Sequence, residues 1–510
     1  MHKLETYLQQ TFGFSQFRSH QREIIESILQ GKDLLAILPT GGGKSLCYQL
    51  PALDLPGMTL VLSPLVSLMK DQVDSLIIKG IRADWINSTL TPKQMKEKML
   101  QVASGNLQLL YLAPERLKSE DFIDLLQTIH VSLVAVDEAH CISSWGHDFR
   151  PSYKKIGTLL KNLPYRPPIA AFTATATLEV KEDIIEKLGL IRPAVFQDSF
   201  DRPNLYFTVE SPDDKKKWLQ THVDAIESPA IFYAATRKEC ETTSNWLKDK
   251  GKRVVTYHAG LSKKERQEAQ EAFLLLDDII LVATNAFGMG IDKPNIRTIL
   301  HLQMPKDIES YYQEAGRGGR DNQTCRCILL FGAGDAHLHR QMILSRPAYY
   351  GGRDHSFKKL QQMLGYVFSD ACYRKYLLTY FGDTTAQEHC DFCGHCTNPI
   401  LLSNVTKEAQ ILLSTLHYLK AKQGISVISG IVRGSKQKKI QQQGWDKLST
   451  YHLLPSWSDA DIRRLWLYLH FKGYLHKSDR AYARTYITRT GIDLLKGMHT
   501  VTLINHKDQL

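Results

Sequence analysis

Three groups of residues in this chain have types and spacings suited to chemistry. The first, Pro39-Thr40-Gly41-Gly42-Gly43-Lys44-Ser45, follows the apolar run 34–38 and leads into the helix-like Leu46-Cys47-Tyr48-Gln49-Leu50. Glycines there let backbone N–H groups turn inward around phosphate oxygens, Lys44 offers a point charge to β and γ groups, and Ser45 can ligate Mg²⁺. Thr40, Gly41, Gly42, Gly43, Lys44 and Ser45 are thus the candidate nucleotide cradle. Leu38 stands where the generic G-x-x-x-x-G-K-S pattern has its outer glycine.

The second group, Asp137-Glu138-Ala139-His140, closes the apolar run 133–136 and places two carboxylates at the carboxyl edge of a sheet, where α/β ligands bind. There Asp137 is suited to hold Mg²⁺ through water and Glu138 to polarise a water for attack on a γ-phosphate. Two acids at a strand end are, alone, ordinary loop residues; with Lys44 and Ser45 in the same chain they read as catalytic. In the third group, four of nine cysteines bunch late, as Cys372 and then Cys390-x-x-Cys393-x-x-Cys396. Four thiolates close a tetrahedral shell with Zn–S bonds of about 2.3 Å and leave no open position, so the metal is expected to be structural. Zinc is the default in a reducing compartment; an iron–sulfur centre is the alternative, because cysteine serves both. His389 and His395 flank the ligands as bystanders.

The elements that must position these groups are legible as short apolar runs. Residues 34–38, 59–62, 109–112, 133–136 and 169–172 read as buried strands alternating with helical patterns, and 230–233, 254–257, 279–283, 298–302 and 328–331 form a second such series. Two α/β units with parallel sheets follow, joined near Ser199 to Asn204. Past Gly334 the pattern turns helical and polar up to the cysteines, and then basic. A chain of 510 residues is long enough for several packed domains. Residues 401–510 carry 17 Lys+Arg against 7 Asp+Glu, leaving 47 against 46 for residues 1–400, so all but one unit of the net charge of +11 belongs to the C-terminal segment. Such a local basic excess fits a polyphosphate partner, most commonly nucleic acid. No stretch has the roughly 18 apolar residues of a membrane span, and the start shows no secretory signal. A cytosolic protein is expected.

With the run Asp137 to Pro151 (Asp-Glu-Ala-His-Cys-Ile-Ser-Ser-Trp-Gly-His-Asp-Phe-Arg-Pro), the sequence resembles the DEAH-type superfamily 2 helicases, and closely the RecQ family of DNA helicases, over essentially its whole length. Phe14, Arg18 and Gln21 are similar to that family's adenine-reading motif, the first two sandwiching the base and Gln21 reading its edge. Residues 63–72 and 113–116 are similar to first-lobe strand-contact motifs, and Thr173-Ala174-Thr175-Ala176 to the motif coupling hydrolysis to lobe movement. Residues 283–294, with Gly288 and Asp292, resemble motif V, and Gln313-Glu314-Ala315-Gly316-Arg317-Gly318-Gly319-Arg320 resembles motif VI. An arginine reaching in from a second lobe completes the charge stabilisation that one lobe lacks, with Arg317 and Arg320 the candidates and Arg320 preferred.

The resemblance implies two RecA-like parallel-sheet lobes (1–200 and 201–333), a helical hairpin with a four-cysteine zinc module (334–398) and a winged-helix DNA-binding domain (399–510). It implies ATP, Mg²⁺ and Zn²⁺ as cofactors and unwinding of duplex DNA with three-prime to five-prime polarity in recombination, repair and replication. Single-stranded and duplex DNA are the expected partners, with a single-stranded-DNA-binding protein a further one and a monomer the expected state. Trp145, His147, Phe149 and Arg150 form a stretch too polar for a core and suited to base stacking, worth about 1–3 kcal/mol per base. The segment Arg433-Gly434-Ser435-Lys436-Gln437-Lys438-Lys439 is expected at the start of a helix, where Arg433, Ser435, Lys436, Lys438 and Lys439 share a duplex phosphate with free backbone N–H groups. Trp457, Trp466 and Tyr468 are expected to build that domain's core, and Tyr482 lies in its short wing. After Cys372 the chain has Tyr373-Arg374 where the family often has two arginines, and Trp445 stands where histidine is common. A short form is expected, without the helical accessory (HRDC) module of many family members. The alternatives are a nucleic-acid-stimulated ATPase acting on RNA and a non-catalytic DNA-binding or annealing protein.

Overall fold

The computed structural model describes residues 2–504 apart from 40, 65, 144, 147, 288–292, 346–351, 399–401, 422 and 478–483. In the first lobe, strands β1 (Leu34–Ile37), β2 (Met58–Leu62), β3 (Ala83–Ile86), β4 (Leu109–Leu112), β5 (Val131–Val136), β6 (Ile169–Thr173) and β7 (Ala194–Gln197) form one parallel sheet. Its order is β3-β4-β2-β5-β6-β1-β7. β1, β2, β4, β5 and β6 are buried along their whole length, because crossover helices cover both faces and no residue needs to meet water. The order puts β1, which leads into the phosphate loop, next but one to β5, which leads into Asp137 and Glu138. Both groups therefore emerge at the same carboxyl edge.

The second lobe repeats the plan with β8 (Leu205–Glu210), β9 (Ala230–Tyr233), β10 (Val254–Tyr257), β11 (Ile280–Ala283), β12 (Thr298–His301) and β13 (Cys325–Leu330), in the order β10-β11-β9-β12-β13-β8. The helix Ile308–Ala315 between β12 and β13 is N-capped by Asp307, whose carboxylate accepts from Ser310 N at 2.7 Å. That helix carries the chain into Gly316–Arg320.

Helices Ala333–Ser345 and Arg353–Val367 pack on this lobe as a hairpin, and the cysteine module follows. A buried ion pair, Lys359 Nζ to Glu309 Oε1 at 2.6 Å, fastens the hairpin to the Ile308–Ala315 helix. The C-terminal unit is built on helices Thr406–Tyr418, Ile425–Val432 and Asp459–Phe471, with a two-stranded wing of β15 (Leu475–Lys477) and β16 (Thr485–Ile487). A second antiparallel pair joins β14 (Leu402–Asn404) to β17 (Thr502–Ile504). Phe368 of the hairpin meets Tyr468 and Phe471 with ring centroids 5.2 and 5.7 Å apart, docking the unit. Trp466 and Tyr468 are buried and Trp457 packs against the core. Tyr482 lies outside the described residues. Among the described residues no helix is long and apolar enough to cross a membrane.

One expectation needs correction. Arg433 does not begin a helix: it is the C-cap of Ile425–Val432, and Gly434 turns the chain in the left-handed region (φ +80°). The next helix starts at Lys438 and has five residues. The turn residues Gly434 and Ser435 break what the run of cations alone made look continuous.

Candidate functional site: the interlobe nucleotide cleft and its neighbours

The phosphate loop leaves β1 through Leu38, whose N–H is bonded to Thr173 O at 3.1 Å. Leu38 is fully buried, so it finishes the strand rather than opening the turn. The turn itself falls to Gly41 and Gly43, at φ +85° and +75°. A Cβ on Gly43 would lie 2.3 Å from Gln21 Nε2, and one on Gly42 would lie 2.9 Å from Pro39 O. The loop is therefore a cradle shaped by missing side chains. Lys44 begins the Lys44–Gln49 helix with Ser45 and bends back so that Nζ donates to Leu38 O at 3.2 Å. Thr40 lies outside the described residues.

Gln21 is buried; its amide donates to Gly43 O at 3.2 Å and its oxygen accepts from Arg18 N at 2.9 Å. The Arg18 guanidinium donates to Gly41 O. Phe14 is half exposed, its N–H donating to Leu8 O at 3.1 Å. Arg18 and Gln21, two of the three residues expected at the base, thus gather on the loop that would hold the phosphates.

Asp137 is buried, accepting from Ser63 Oγ at 3.4 Å, while its own carbonyl accepts from Tyr153 Oη at 2.9 Å. Burial, then the adjacent Glu138, pushes the Asp137 carboxyl up to about 7 against the pull of Lys44. A carboxyl so placed gains by facing a cation. Glu138 sits at φ +47°, a left-handed conformation that turns its side chain off the strand axis. His140 Nδ1 lies 3.3 Å from Glu138 Oε2 and 3.0 Å from Thr173 Oγ1. Burial works against charge on His140, yet Cys141 and Glu138 push it up to about 10. The acid–base pair is thereby tied to the Thr173–Ala176 segment.

The second lobe closes the cleft. Arg320 packs on the phosphate loop: a Cβ on Gly41 would stand 3.6 Å from Arg320 Cδ. Arg317 is buried and Gln313 half-buried on the same segment. Gly288 and Asp292 lie outside the described residues.

The aromatic stretch after Glu138 is held at several points. Trp145 is about half exposed, and its N–H donates to Ser143 Oγ at 3.1 Å. Ser143 Oγ in turn donates to Asp183 Oδ2 at 2.5 Å. The Trp145 ring meets the His355 ring edge-on at 4.9 Å, and His355 Nε2 lies 3.1 Å from Trp145 O. Phe149 lies under Lys154 Nζ, 5.2 Å from its ring centre. Arg150, expected at the nucleic-acid strand, spends its guanidinium on Asp148 Oδ2 (3.1 and 3.0 Å) and Pro64 O (3.0 Å). It ties the aromatic loop to the 63–72 segment. His147 lies outside the described residues. Asp183 and His355 had no local signal, since each matters through a partner 40 or 210 residues away.

Cys372, Cys390, Cys393 and Cys396 converge with all four Sγ atoms within 4.8 Å of one another. Two of the separations are 3.8 Å (Cys372–Cys393) and 4.0 Å (Cys390–Cys396). A tetrahedral Zn–S shell has edges of about 3.8 Å, so the thiols fit one ion. His389 bonds Asp391 at 2.7 Å and His395 stays outside the cluster. Arg433, Lys436, Lys438 and Lys439 are exposed on the C-terminal unit, and Ser435 Oγ accepts from Gln437 N at 3.4 Å.

Two parallel-sheet lobes, a phosphate loop on one and arginines on the other closing over it, define a nucleoside-triphosphate-driven motor of the two-lobed helicase class. Residues 18–184 match the DEAD/DEAH box helicase model, 214–322 the helicase conserved C-terminal domain, 333–398 the RecQ zinc-binding model and 399–509 the RQC domain. Over 499 residues the chain is 42% identical to the ATP-dependent DNA helicase RecQ of Bacillus subtilis, covering 98% of this chain and 84% of that one. It is 41% identical to the Pasteurella multocida protein of the same name, covering 87% and 70%. The chain belongs to the RecQ family of helicases. Its fold is also similar to that of the DUF1998 helicase MrfA bound to DNA (TM-score 0.54, 20% identity, 74% of this chain and 57% of that one).

Proposed function

We propose that the chain is an ATP-dependent DNA helicase that tracks along one strand with three-prime to five-prime polarity and separates the duplex ahead. The observation that carries this reading is Arg320 of the second lobe resting against Gly41 of the first: one nucleotide touches both lobes, so its cleavage changes their closure.

Gly41, Gly42, Gly43 and Lys44 cradle the phosphates, Phe14, Arg18 and Gln21 take the base, and Arg317 and Arg320 meet the transferring group. Ser45 and Asp137 are the residues that would hold Mg²⁺, which when bound would supply charge neutralisation for the phosphate groups. Glu138, with His140 at its side, orients the attacking water. Trp145 and Phe149 stack on the strand, and the exposed cations Arg433, Lys436, Lys438 and Lys439 hold duplex backbone without reading its sequence. The four cysteines hold zinc in a structural role. A monomer working in the compartment that holds the DNA, alongside a single-stranded-DNA-binding protein, completes the reading.

The test is strand displacement on duplexes with a tail of either polarity, with and without ATP, beside ATPase assays stimulated by DNA or by RNA. Unwinding of three-prime-tailed duplex, abolished by Lys44→Ala, is expected. Equal stimulation by RNA, or activity undiminished in Lys44→Ala, refutes it.

A further inference from the structure

The segment that carries the cleft arginines is held from behind by the linker between the lobes. The Ile308–Ala315 helix ends at Gly316, and a helix end leaves carbonyls without intrahelical donors. Arg202 takes up the last of them and two more just beyond the helix: Nη1 donates to Gly316 O at 3.3 Å, and Nη2 to Gly318 O and Gly319 O, each at 3.0 Å. Asn204 Nδ2 adds bonds to Gly319 O at 2.7 Å and Gln323 O at 2.8 Å. The contact leaves no slack. A Cβ on Gly319 would fall 2.4 Å from Asn204 Nδ2, and one on Gly318 would fall 2.2 Å from Cys325 Sγ.

Arg202 is itself fixed. Arg374, buried two residues after Cys372, donates to Asp201 Oδ1 (2.7 Å), Arg202 O (2.6 Å), Pro203 O (3.2 Å) and Leu205 O (2.7 Å). The Arg374 guanidinium thus grips the linker. Phe200 stacks on Phe381 at 4.7 Å, and Ser199 Oγ donates to Asp383 Oδ2 at 2.7 Å.

We propose that Arg202 is a positioning residue for ATP hydrolysis. It fixes the carbonyls of Gly316–Gly319 so that Arg320 meets the phosphate loop, and Arg374 of the cysteine module holds Arg202 in register. This rests on the reading of Arg320 as the arginine that completes the cleft. The fork is essential because one rigid planar group reaches three carbonyls, whereas an ammonium on a flexible stem does not. A misplacement of about 1 Å at a transition-state donor costs about 10²-fold in rate.

The test is a kinetic double-mutant cycle on the full chain with single-stranded DNA saturating. Arg202→Lys is expected to lower kcat about 10- to 100-fold, with the KM for ATP, the affinity for single-stranded DNA and the melting temperature nearly unchanged. In an Arg320→Ala background the same change is expected to cost nothing further. Should Arg202→Lys fold poorly, Asn204→Ala, which removes only the bonds to Gly319 and Gln323, carries the same signature at smaller size, and Arg374→Lys moves kcat the same way. An equal cost of Arg202→Lys in both backgrounds, or a rise in KM at constant kcat, overturns the positioning role while leaving Arg320 in place. Full hydrolysis by Arg320→Ala alone overturns the reading of the cleft, and with it this inference.

Discussion

Replacing Lys359 by methionine tests how the hairpin is joined to the motor. The ammonium lies 2.6 Å from Glu309 Oε1, with the two side chains 8% and 4% exposed. Removing it strands Glu309 in the core with Asp307, also buried, two residues away. Breaking a buried pair from one side costs about 3–5 kcal/mol, and the second carboxylate places this case toward the upper end. For a cooperative unit of roughly 200 residues, each kcal/mol moves Tm by about 2–4 °C, so a drop of about 6–20 °C is expected. The deficit depends on pH. Burial and then Asp307 already hold the Glu309 carboxyl above its usual range, and loss of Lys359 raises it further. Between the ordinary carboxylate pKa and that raised value the native state keeps a proton the unfolded chain has released, so stability falls as pH rises. The variant should therefore approach the parent at pH 5 and fall furthest below it at pH 8. Lys359→Met combined with Glu309→Gln should recover much of the loss at pH 8. Calorimetry at the two pH values decides. A deficit that is absent at pH 8, or the same at both, refutes the reasoning.

Trp145→Ala should leave DNA-independent ATPase intact and reduce stimulation by single-stranded DNA, since about 1–3 kcal/mol of stacking is lost; full stimulation with full unwinding would remove Trp145 from the strand path. Gly43→Ala introduces a Cβ 2.3 Å from Gln21 Nε2 at φ +75°, so ATP affinity should fall at least several-fold in a nucleotide-binding titration while DNA binding is unchanged. Chelating zinc, or Cys390→Ser, should lower Tm and release one equivalent of metal per chain; metal analysis that finds iron with sulfide would instead establish an iron–sulfur centre.

Most of the sheet framework was legible. Runs such as 34–38 and 133–136 stand between helices and meet no solvent, so they appear as unbroken apolar stretches. The lobe strands without such a run are those whose apolar composition is interrupted or whose burial is incomplete. β3 carries Asp84, which is ion-paired to Lys98; β7 is a half-exposed edge; and β8, where the linker ends, alternates polar and apolar residues. The run 433–439 was misplaced because cationic composition reports exposure and not chain direction.

The phosphate cradle, the acid pair and the cysteine spacing are local patterns, and local chemistry suffices to read them: each works through residues about two dozen positions apart at most. What the tertiary structure alone decided is how those pieces are held. The seat of Arg320 on Gly41, the grip of Arg202 on the Gly316–Gly319 carbonyls and the tie from Asp183 to the Trp145 loop join residues 40 to 279 positions apart. Such pairings leave no periodicity in the chain, because one arginine or aspartate is as well suited to solvent as to a carbonyl until folding supplies the partner and takes the water away.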